Sequence, residues 1–467
     1  MTSPNKKTPP LLWIGLFALA AVCAVGVYFY KKQQDELRIA TEARAAQAAK
    51  EKEQTIITNL ASARDAASQT NWADAIASAQ LVLKSSPDNS EAKTILSTAT
   101  AALEKIETDK KQAASLLEKA IASDQGKYDP QAISWLNEAK SLDPGNTAIP
   151  ALLGKISAYP RTIRIPEDAA TPAAALATAR DGDTISLSAG NWQGPLTVGT
   201  KIHLQGAAGT IIECPAEAGC AITIAPDAKG AQITGINFRH NTAISESERF
   251  SAALVRGGNA TFIDCQFINA SGHGLAVIDG GSAIVSRSQF SENGWNGAAV
   301  IGTGSKLDLR DSKFSKNQQN GIESWNGATV VLISNHCEAN GRNGIHVGSA
   351  SAGAIIEGNQ LTTNSEYGAV IDRAEEGKIQ NNIAKENQLG GFVIRSSAAK
   401  ISINNNQAIQ NKGPGWIMEK GLDAANYTSN TSSENGTQEI ITDASFTENT
   451  AAPQGESNIP RANPVEE

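Results

Sequence analysis

The chain has 467 residues, a formal net charge of −8 and a sequence pI near 5.4. That length exceeds one ordinary domain, and the acidic balance gives no basic surface for nucleic acid, so we expect several domains and no nucleic-acid partner. The five cysteines and five histidines have no metal-ligand spacing, so no metal and no cofactor is predicted.

The N-terminal segment contains an uncharged apolar run. Residues 1–10 form a short polar tail, and residues 11–30 carry no charge between Lys7 and Lys31. Twenty helical residues at ~1.5 Å each span a ~30 Å hydrocarbon core, so we predict a transmembrane anchor at 11–30. A cleaved signal peptide is the alternative, but its apolar region is shorter. We expect a single pass through the cell membrane, with the C-terminal domains outside the cytoplasm.

Two helical segments follow. Residues 31–54 are rich in Ala, Glu, Lys, Arg and Gln and predict a helical stalk. Residues 55–158 contain a repeat in which Ala75 and Ala132, like Pro87 and Pro144, lie 57 residues apart. Each unit predicts a helix, a turn and a second helix, with a longer helix near 91–111 between the units. NWADAIASAQLVLKSSPDN resembles the second half of a tetratricopeptide repeat, which implies a protein-binding groove; a helical spacer is the alternative.

From residue 251 to residue 436 the chain repeats every 23 or 24 residues. Glycines at this spacing open apolar strands: Gly274, Gly297, Gly321, Gly344, Gly368, Gly391 and Gly415. Asparagines form a second series: Asn269, Asn293, Asn317, Asn340, Asn364, Asn387, Asn411 and Asn435. Each repeat holds three short apolar alternations of period 2, which predict three short strands. Such a repeat predicts a parallel β-helix, in which each strand pairs in register with its equivalent one coil away.

The two series have structural interpretations. We expect the glycines to need positive φ or close approach between coils. We expect the asparagines to lie in left-handed turns, with amides that hydrogen-bond from coil to coil. Eight equivalent asparagines are interpreted as scaffold rather than as a ligand track.

Residues 160–446 resemble the right-handed parallel β-helix repeat proteins of the pectin-lyase-like fold. The resemblance implies about ten coils. DGDTISLSAGNWQGPLTVGTKIHLQG, residues 181–206, resembles the N-terminal cap and first coil of such domains, so Asp181 and Asp183 are interpreted as structural turn residues. The predicted fold is thus multidomain: one transmembrane helix, an all-α tetratricopeptide-like region, then an all-β solenoid. Residues 447–467 show no repeat and predict a disordered tail.

Catalytic motifs of the related enzyme families are not recognisable in the sequence. Residues 236–267 are similar to pectin methylesterases, but Gly272 lies where those enzymes have the acid/base aspartate. Gly272-His273-Gly274 matches the Gly-His-Gly of polygalacturonases, whose other motifs are missing. The fold hosts lyases, hydrolases, esterases, epimerases and adhesins, so it assigns no activity by itself.

Four cysteines lie in the β-helix region. Cys214 and Cys220 flank a loop that a disulfide would close in an oxidising compartment. Cys265 and Cys337 lie at strand positions and are interpreted as small core residues.

The outward side of the first-strand sheet is the predicted ligand face, since the resemblance implies that polysaccharides lie there. Alternation places Glu323 and His346 outward on adjacent coils beside Trp325, and stacks Asp372, Arg395 and Glu419 one step along. We predict a solvent-facing binding surface of Glu323, Trp325, His346, Asp372 and Arg395, with Trp325 as a sugar platform. Asp372 and Glu419, about 9.6 Å apart at Cα, are the candidate catalytic pair if the protein is an enzyme.

The sequence therefore favours a membrane-anchored cell-envelope protein that binds or scaffolds polysaccharide or protein without catalysis. The alternative is a carbohydrate-active enzyme, a polysaccharide lyase or glycoside hydrolase, with a non-standard site on the first-strand face.

Overall fold

The computed structural model describes residues 11–242, 249–348, 353–372, 374, 376–395, 401–419, 427–436 and 440–443, without the side chains of 11–17, 20, 419 and 440–443. The predicted tails at 1–10 and 447–467 lie outside the described residues. The chain forms two compact units, which meet between Ala158 and Tyr159 in sequence. Each unit is described by itself.

The N-terminal unit consists of helices in its described part. They are α1 (Leu11–Ser68), α2 (Trp72–Ser85), α3 (Ser90–Ser123), α4 (Pro130–Leu142) and α5 (Ala148–Ala158). One continuous helix, α1, thus covers the predicted anchor, the predicted stalk and the start of the repeat region. Among the side chains that the structure describes, no helix offers an apolar stretch long enough to cross a membrane.

The 57-residue repeat appears as two equivalent helix pairs, α1 with α2 and α3 with α4. Ala75 and Ala132 occupy equivalent, fully buried positions in them. Helix α3 is longer than the predicted helix near 91–111, because no glycine or proline interrupts it before Ser123. Side-chain caps stabilise the starts of α3 and α4: the Asn89 side chain accepts a hydrogen bond from the Ala92 amide at 2.9 Å, and the Asp129 side chain accepts one from the Gln131 amide.

The second unit contains one short helix, α6 (Pro172–Thr178), 32 strands and one 3-10 turn at Ala216–Ala218 in its described part, and its first element is a strand. The first coils contain β1 (Thr162–Ile165), β2 (Thr184–Leu187), β3 (Gly190–Gln193), β4 (Leu196–Val198), β5 (His203–Cys214), β6 (Ile222–Ile224) and β7 (Lys229–His240). The middle coils contain β8 (Ala253–Arg256), β9 (Asn259–Ile263), β10 (Gln266–Ile268), β11 (Leu275–Ile278), β12 (Ser282–Ser286), β13 (Gln289–Ser291), β14 (Ala298–Ile301), β15 (Lys306–Arg310), β16 (Lys313–Ser315), β17 (Ile322–Trp325), β18 (Thr329–Ile333) and β19 (His336–Glu338). The last coils contain β20 (Ile345–Val347), β21 (Ala354–Glu357), β22 (Gln360–Thr362), β23 (Tyr367–Asp372), β24 (Gly377–Gln380), β25 (Ile383–Lys385), β26 (Gly390–Arg395), β27 (Ile401–Asn404), β28 (Gln407–Ile409), β29 (Trp416–Glu419), β30 (Tyr427–Thr428), β31 (Thr431–Ser433) and β32 (Ile440–Asp443).

These strands form a parallel β-helix. The first strand of each coil joins an 11-stranded sheet, here called the first sheet, and the other strands form a 21-stranded sheet. Pairing is parallel and in register, so equivalent residues stack. The rings of Phe267, Phe290 and Phe314 illustrate this, with centroids 4.6 and 4.4 Å apart along the core. The core therefore consists of columns of equivalent side chains, as the repeat predicts.

Buried asparagines connect the coils at two corners. Seven of the eight predicted positions form the first ladder, Asn293 to Asn435; for example, Asn364 Nδ2 donates to Asn387 Oδ1 at 2.9 Å and to Cys337 O at 3.1 Å. Asn269 does not belong to this ladder, since register places Ala270 there and Ala270 N donates to Asn293 Oδ1. A second ladder, which was not predicted, contains Asn335, Asn359, Asn382, Asn406 and Asn430.

The turn conformations differ from those expected. The ladder asparagines are not left-handed; the residue before each of them is, as at Ala339 (φ 51°) and Thr363 (φ 55°). Asn269, the misassigned residue, is itself one of these left-handed residues, at φ 53°. The repeat glycines are needed for close approach, since a Cβ at Gly344 would lie 2.7 Å from the carbonyl oxygen of Gly368 in the next coil.

The N-terminal end of the solenoid is closed by α6 and a buried ion pair. Asp183 is fully buried, and its carboxylate accepts hydrogen bonds from the Arg161 guanidinium at 2.6 Å and from the Arg161 and Arg180 amides. Asp181 accepts a bond from the Lys201 amide. Both aspartates therefore hold the first turns together, in the place where a solenoid needs a cap.

The first asparagine ladder generates a prediction about stability. Asn364→Ala leaves the Asn340 amide and the Cys337 carbonyl without their partner, so it should lower the free energy of unfolding by about 1–3 kcal/mol. The measurement is denaturant unfolding of the full chain, followed by the β-sheet circular dichroism signal. Asn259→Ala, at an exposed strand position, is the matched control and should change it by less than about 0.5 kcal/mol. Equal effects of the two substitutions would contradict a structural role for the ladder.

Candidate functional site

The outer face of the first sheet changes character along the solenoid. On β4, β6 and β8 the outward residues include Thr197, Thr223 and the exposed Arg256. The outward residues of β11 and β14 are instead apolar, and they belong to a buried cluster: Cys220, Phe250, Leu254, Ala276, Ile278, Ala299, Ile301 and Trp325. Strands β11 and β14 are thus buried on both faces. Their continuous apolar runs, LAVI and AAVI, are the sequence signal for this, because a half-exposed strand would alternate. The first polar outward residue on the next strand is Glu323.

Glu323 and His346 form a pair at this position. They are in register on β17 and β20, and His346 Nδ1 lies 2.9 Å from Glu323 Oε1. The other carboxylate oxygen accepts a bond from Asn296 Nδ2 at 2.5 Å. The two side chains are 13% and 24% exposed, so the imidazole is the more accessible group.

Glu323 is held in its ionised form. Burial by itself raises the pKa of this carboxyl group, since desolvation penalises the charge. The hydrogen bond from His346 and the electrostatic interaction with its ring, together with the bond from Asn296, outweigh that effect and lower the pKa below its ordinary value. At neutral pH the group is therefore a fixed negative charge that only accepts hydrogen bonds.

Aromatic rings border the pair. The His273 ring lies 5.0 Å from Trp295 and 6.4 Å from Trp325, measured between centroids, and the Arg249 guanidinium lies over Trp295 at 5.9 Å. His273 is fully buried, and its Nδ1 accepts a bond from the Asn296 amide. Trp325 Nε1 is buried and has no hydrogen-bond acceptor within the described residues.

The predicted surface is therefore only partly right. Trp325 is 8% exposed, because it packs in the apolar cluster and against His273, so the prediction of an open sugar platform is wrong. Asp372 and Arg395 are half-buried register neighbours on β23 and β26. The side chain of Glu419, the predicted partner of Asp372 in catalysis, lies outside the described residues.

Three site residues were missed from the sequence: Trp295, Asn296 and Arg249. They come from turns and from the segment before β8, so strand alternation gives no information on them. The motif GWNG at 294–297 could have indicated Trp295 as a site residue. A tryptophan in a glycine-flanked turn has no strand neighbours to pack against, so it must pack elsewhere.

A separate polar groove of about 580 Å³ lies at the corner between the second and third strands of four coils. Most of its charged groups pair with one another or with close neighbours. Arg287 binds Asp264 at 2.8 Å, and Lys313 binds Glu338 at 2.6 Å. These ion pairs connect adjacent coils, and we interpret them as structural.

The cysteines are free thiols in this structure, including Cys214 and Cys220, which are both buried. Burial raises the pKa of each of these two thiols to about 12. Cys265 and Cys337 are core residues. Within the described part of the chain, no group of three or more His, Cys, Asp or Glu side chains is arranged to hold a metal ion.

A second histidine, His240, is buried beside the apolar cluster at the end of β7. Its Nδ1 accepts a bond from the Ser271 amide at 2.9 Å, and its Nε2 lies 3.0 Å from the Gly219 carbonyl oxygen. This geometry requires the neutral ring with the proton on Nε2. Burial accordingly lowers the pKa of His240 to about 4.

The fold and the coil-to-coil register define a parallel β-helix protein. A family model described as "Right handed beta helix region" matches residues 196–332 and 277–437. The matches together run over more than half of the chain, which therefore belongs to this family.

Three solved structures show how far the likeness extends. A mutant of periplasmic alginate epimerase AlgG is 12% identical over 72% of this chain and 89% of its own, with a TM-score of 0.46. The Dettilon tailspike protein is 15% identical over 60% and 68%, with a TM-score of 0.45. An alginate lyase from Paenibacillus sp. str. FPU-7 is 15% identical over 61% and 98%, with a TM-score of 0.41. None of the curated proteins matches the chain in sequence. These likenesses concern the fold, and the function must be argued from the residues of this chain.

The burial of His240 generates a prediction about pH. Because burial lowers the folded-state pKa of His240, protonation of this ring destabilises the folded protein. The free energy of unfolding is therefore highest above the unfolded pKa near 6.5, and it falls as the pH is lowered toward 4. Between pH 7.5 and pH 5 the loss should be about 2 kcal/mol. His240→Gln does not titrate, so its unfolding free energy should fall less over this range. Denaturant unfolding of both proteins at several pH values measures the difference; parallel profiles would contradict the assignment.

Proposed function

We propose that the chain is a non-catalytic binding protein whose β-helix holds a polysaccharide against the outer face of the first sheet, between β17 and β26. One observation carries the proposal: Glu323 with His346, and Asp372 with Arg395, form two outward polar pairs on four successive strands, and all four side chains are partly exposed. The pairs lie in separate rows, because the outward register neighbours of His346 on β23 and β26 are the buried residues Val370 and Val393.

The physical properties of this face suit an elongated ligand. Successive strands are ~4.8 Å apart and fixed by the backbone ladder, so each of the two polar pairs is held rigidly. A rigid site loses little conformational entropy on binding. Carboxylate, imidazole and guanidinium groups supply both acceptors and donors for the hydroxyl groups of a sugar chain.

The electrostatics of the site favour binding over catalysis. A general acid for glycosidic cleavage needs a raised pKa, so that it carries a proton near neutral pH. Glu323 has a lowered pKa and both of its oxygens are already hydrogen-bonded. Asp372 lies next to Arg395 in register. The alternative of a polysaccharide lyase or glycoside hydrolase would rest on Asp372 and Glu419.

The binding proposal is tested with the full chain on a glycan array, followed by calorimetry on the best ligand. His346→Ala and Asp372→Ala should each weaken binding about tenfold or more, since hydrogen bonds to charged groups contribute roughly 1.5–3 kcal/mol. Asp308→Ala, which removes an exposed ion pair with Arg310 on the other sheet, is the control and should leave affinity unchanged.

Binding that none of these substitutions affects would refute the proposed location of the binding site on the first sheet. Cleavage of a glycan by the wild type, lost in Asp372→Asn, would establish the enzyme.

Membrane attachment through residues 11–30, and a protein partner on the tetratricopeptide-like helices, are parts of the same proposal. Their support is the uncharged apolar composition of 11–30 and the repeated helix pairs. The full chain should stay with the membrane fraction after alkaline carbonate washing, and a variant lacking residues 2–30 should be released. A full-length chain found in the wash would contradict the anchor.

A further inference from the structure

The hydrogen bonds around Glu323 determine which atom of His346 can meet a ligand. Glu323 Oε1 faces His346 Nδ1 at 2.9 Å, and an ionised carboxylate only accepts hydrogen bonds. His346 Nδ1 must therefore carry a proton. The remaining ring nitrogen, Nε2, makes no hydrogen bond to any residue that the structure describes.

The carboxylate is itself fixed by Asn296. The Asn296 side-chain oxygen accepts a bond from the Asn320 amide at 2.8 Å, which leaves its Nδ2 to donate to Glu323 Oε2. The Asn296 backbone amide donates to His273 Nδ1. The orientation of the Glu323 carboxylate is thus set by a chain of bonds from three successive coils, and the His346 ring follows from it.

In the neutral imidazole, Nε2 is a hydrogen-bond acceptor. An acceptor at this place attracts a hydroxyl group and repels a carboxylate. The surrounding charges act in the same direction, because two of the nearby cations have an acidic neighbour. Arg342 binds Glu366 at 3.1 Å, and Arg395 is the register neighbour of Asp372. Arg249 lies over the Trp295 ring and donates to the Gly294 carbonyl oxygen. These three cations do not form a cluster that would favour a polyanion.

Resting on the function proposed above, we propose that this site selects a neutral, hydroxyl-bearing glycan over an acidic one, with His346 Nε2 accepting a hydrogen bond from a ligand hydroxyl. Glu323 is then a positioning and specificity-determining residue. It acts through His346 by keeping the proton on Nδ1, and it adds a fixed negative charge that excludes uronate polymers.

The test compares two panels of probes on the full chain. Soluble β-glucan, mannan and galactan oligosaccharides are the neutral panel, and polygalacturonate and alginate oligosaccharides are the acidic panel. Affinities are measured by calorimetry near pH 7.5. We expect the wild type to bind a member of the neutral panel at least tenfold more tightly than any acidic probe.

A double-mutant cycle then isolates the hydroxyl contact. The best neutral ligand is compared with its O-methylated form, which has lost its hydroxyl donors. Methylation should weaken binding to the wild type at least fivefold more than binding to His346→Ala. Glu323→Gln, whose amide frees the imidazole to place its proton on either nitrogen, should likewise lose most of this sensitivity. The melting temperature of each variant is recorded. If Glu323→Gln does not fold, the role of His346 Nε2 is judged from the His346→Ala result alone.

The outcomes separate the two proposals. Acidic probes that bind more tightly than neutral ones would overturn the selectivity but leave a polysaccharide-binding function in place. Equal sensitivity to methylation in the wild type and in both variants would overturn the role of His346 Nε2. If neither panel binds, the proposed function itself is refuted, and with it the selectivity.

Discussion

In-register hydrogen bonding between successive coils is the interaction on which the rest of this β-helix depends. A strand here has no partner in its own coil, so its backbone groups pair only with the equivalent strands before and after it. At the corners the strand ladder is interrupted, and buried asparagines replace it. Each amide donates to the next asparagine in the column and to a carbonyl of the previous coil, and its oxygen accepts from the coil before. The corner is thus as fully hydrogen-bonded as the strands, which a buried backbone requires.

The same register builds the candidate site. Side chains alternate between the core and the outer face, so residues one repeat apart meet on the same side only if the spacing is kept. Glu323 and His346 are neighbours because 23 residues close one coil between them. Insertion of one residue between them would shift the register, and one of the two side chains would then point into the core instead of outward. The buried apolar residues next to the pair limit water access and strengthen the electrostatic interaction between the two groups.

Much of the fold was predictable from the repeat, since spacing alone gives the coil length, the strand number per coil and the stacked core columns. The error in the predicted asparagine ladder came from confusing two adjacent positions in the turn. Asn269 continues the asparagine spacing, yet Ala270 occupies the ladder position, because a left-handed residue comes directly before each ladder residue. Spacing could not separate these two adjacent positions.

The site was harder to predict, for a different reason. Alternation correctly placed Glu323 and His346 side by side, but whether an outward side chain reaches solvent depends on what covers it. Trp325 is buried by neighbours from other coils, and Trp295 and Asn296 enter from a turn. Turn residues have no periodicity, so their side-chain partners follow from the three-dimensional course of the chain alone. The sheet register places the polar pairs side by side, and turn residues complete their surroundings.

The pairing of a carboxylate with an imidazole on the adjacent coil has a consequence for chemistry. A carboxyl group becomes an effective general acid when burial or a like charge raises its pKa. At Glu323 burial does act in that direction, but His346 on the next coil outweighs it. The contact that orients the imidazole is therefore also the contact that keeps the carboxylate ionised. Glu323 therefore stays an ionised hydrogen-bond acceptor as long as the two residues stay in register, and the register is maintained by the coils of the solenoid.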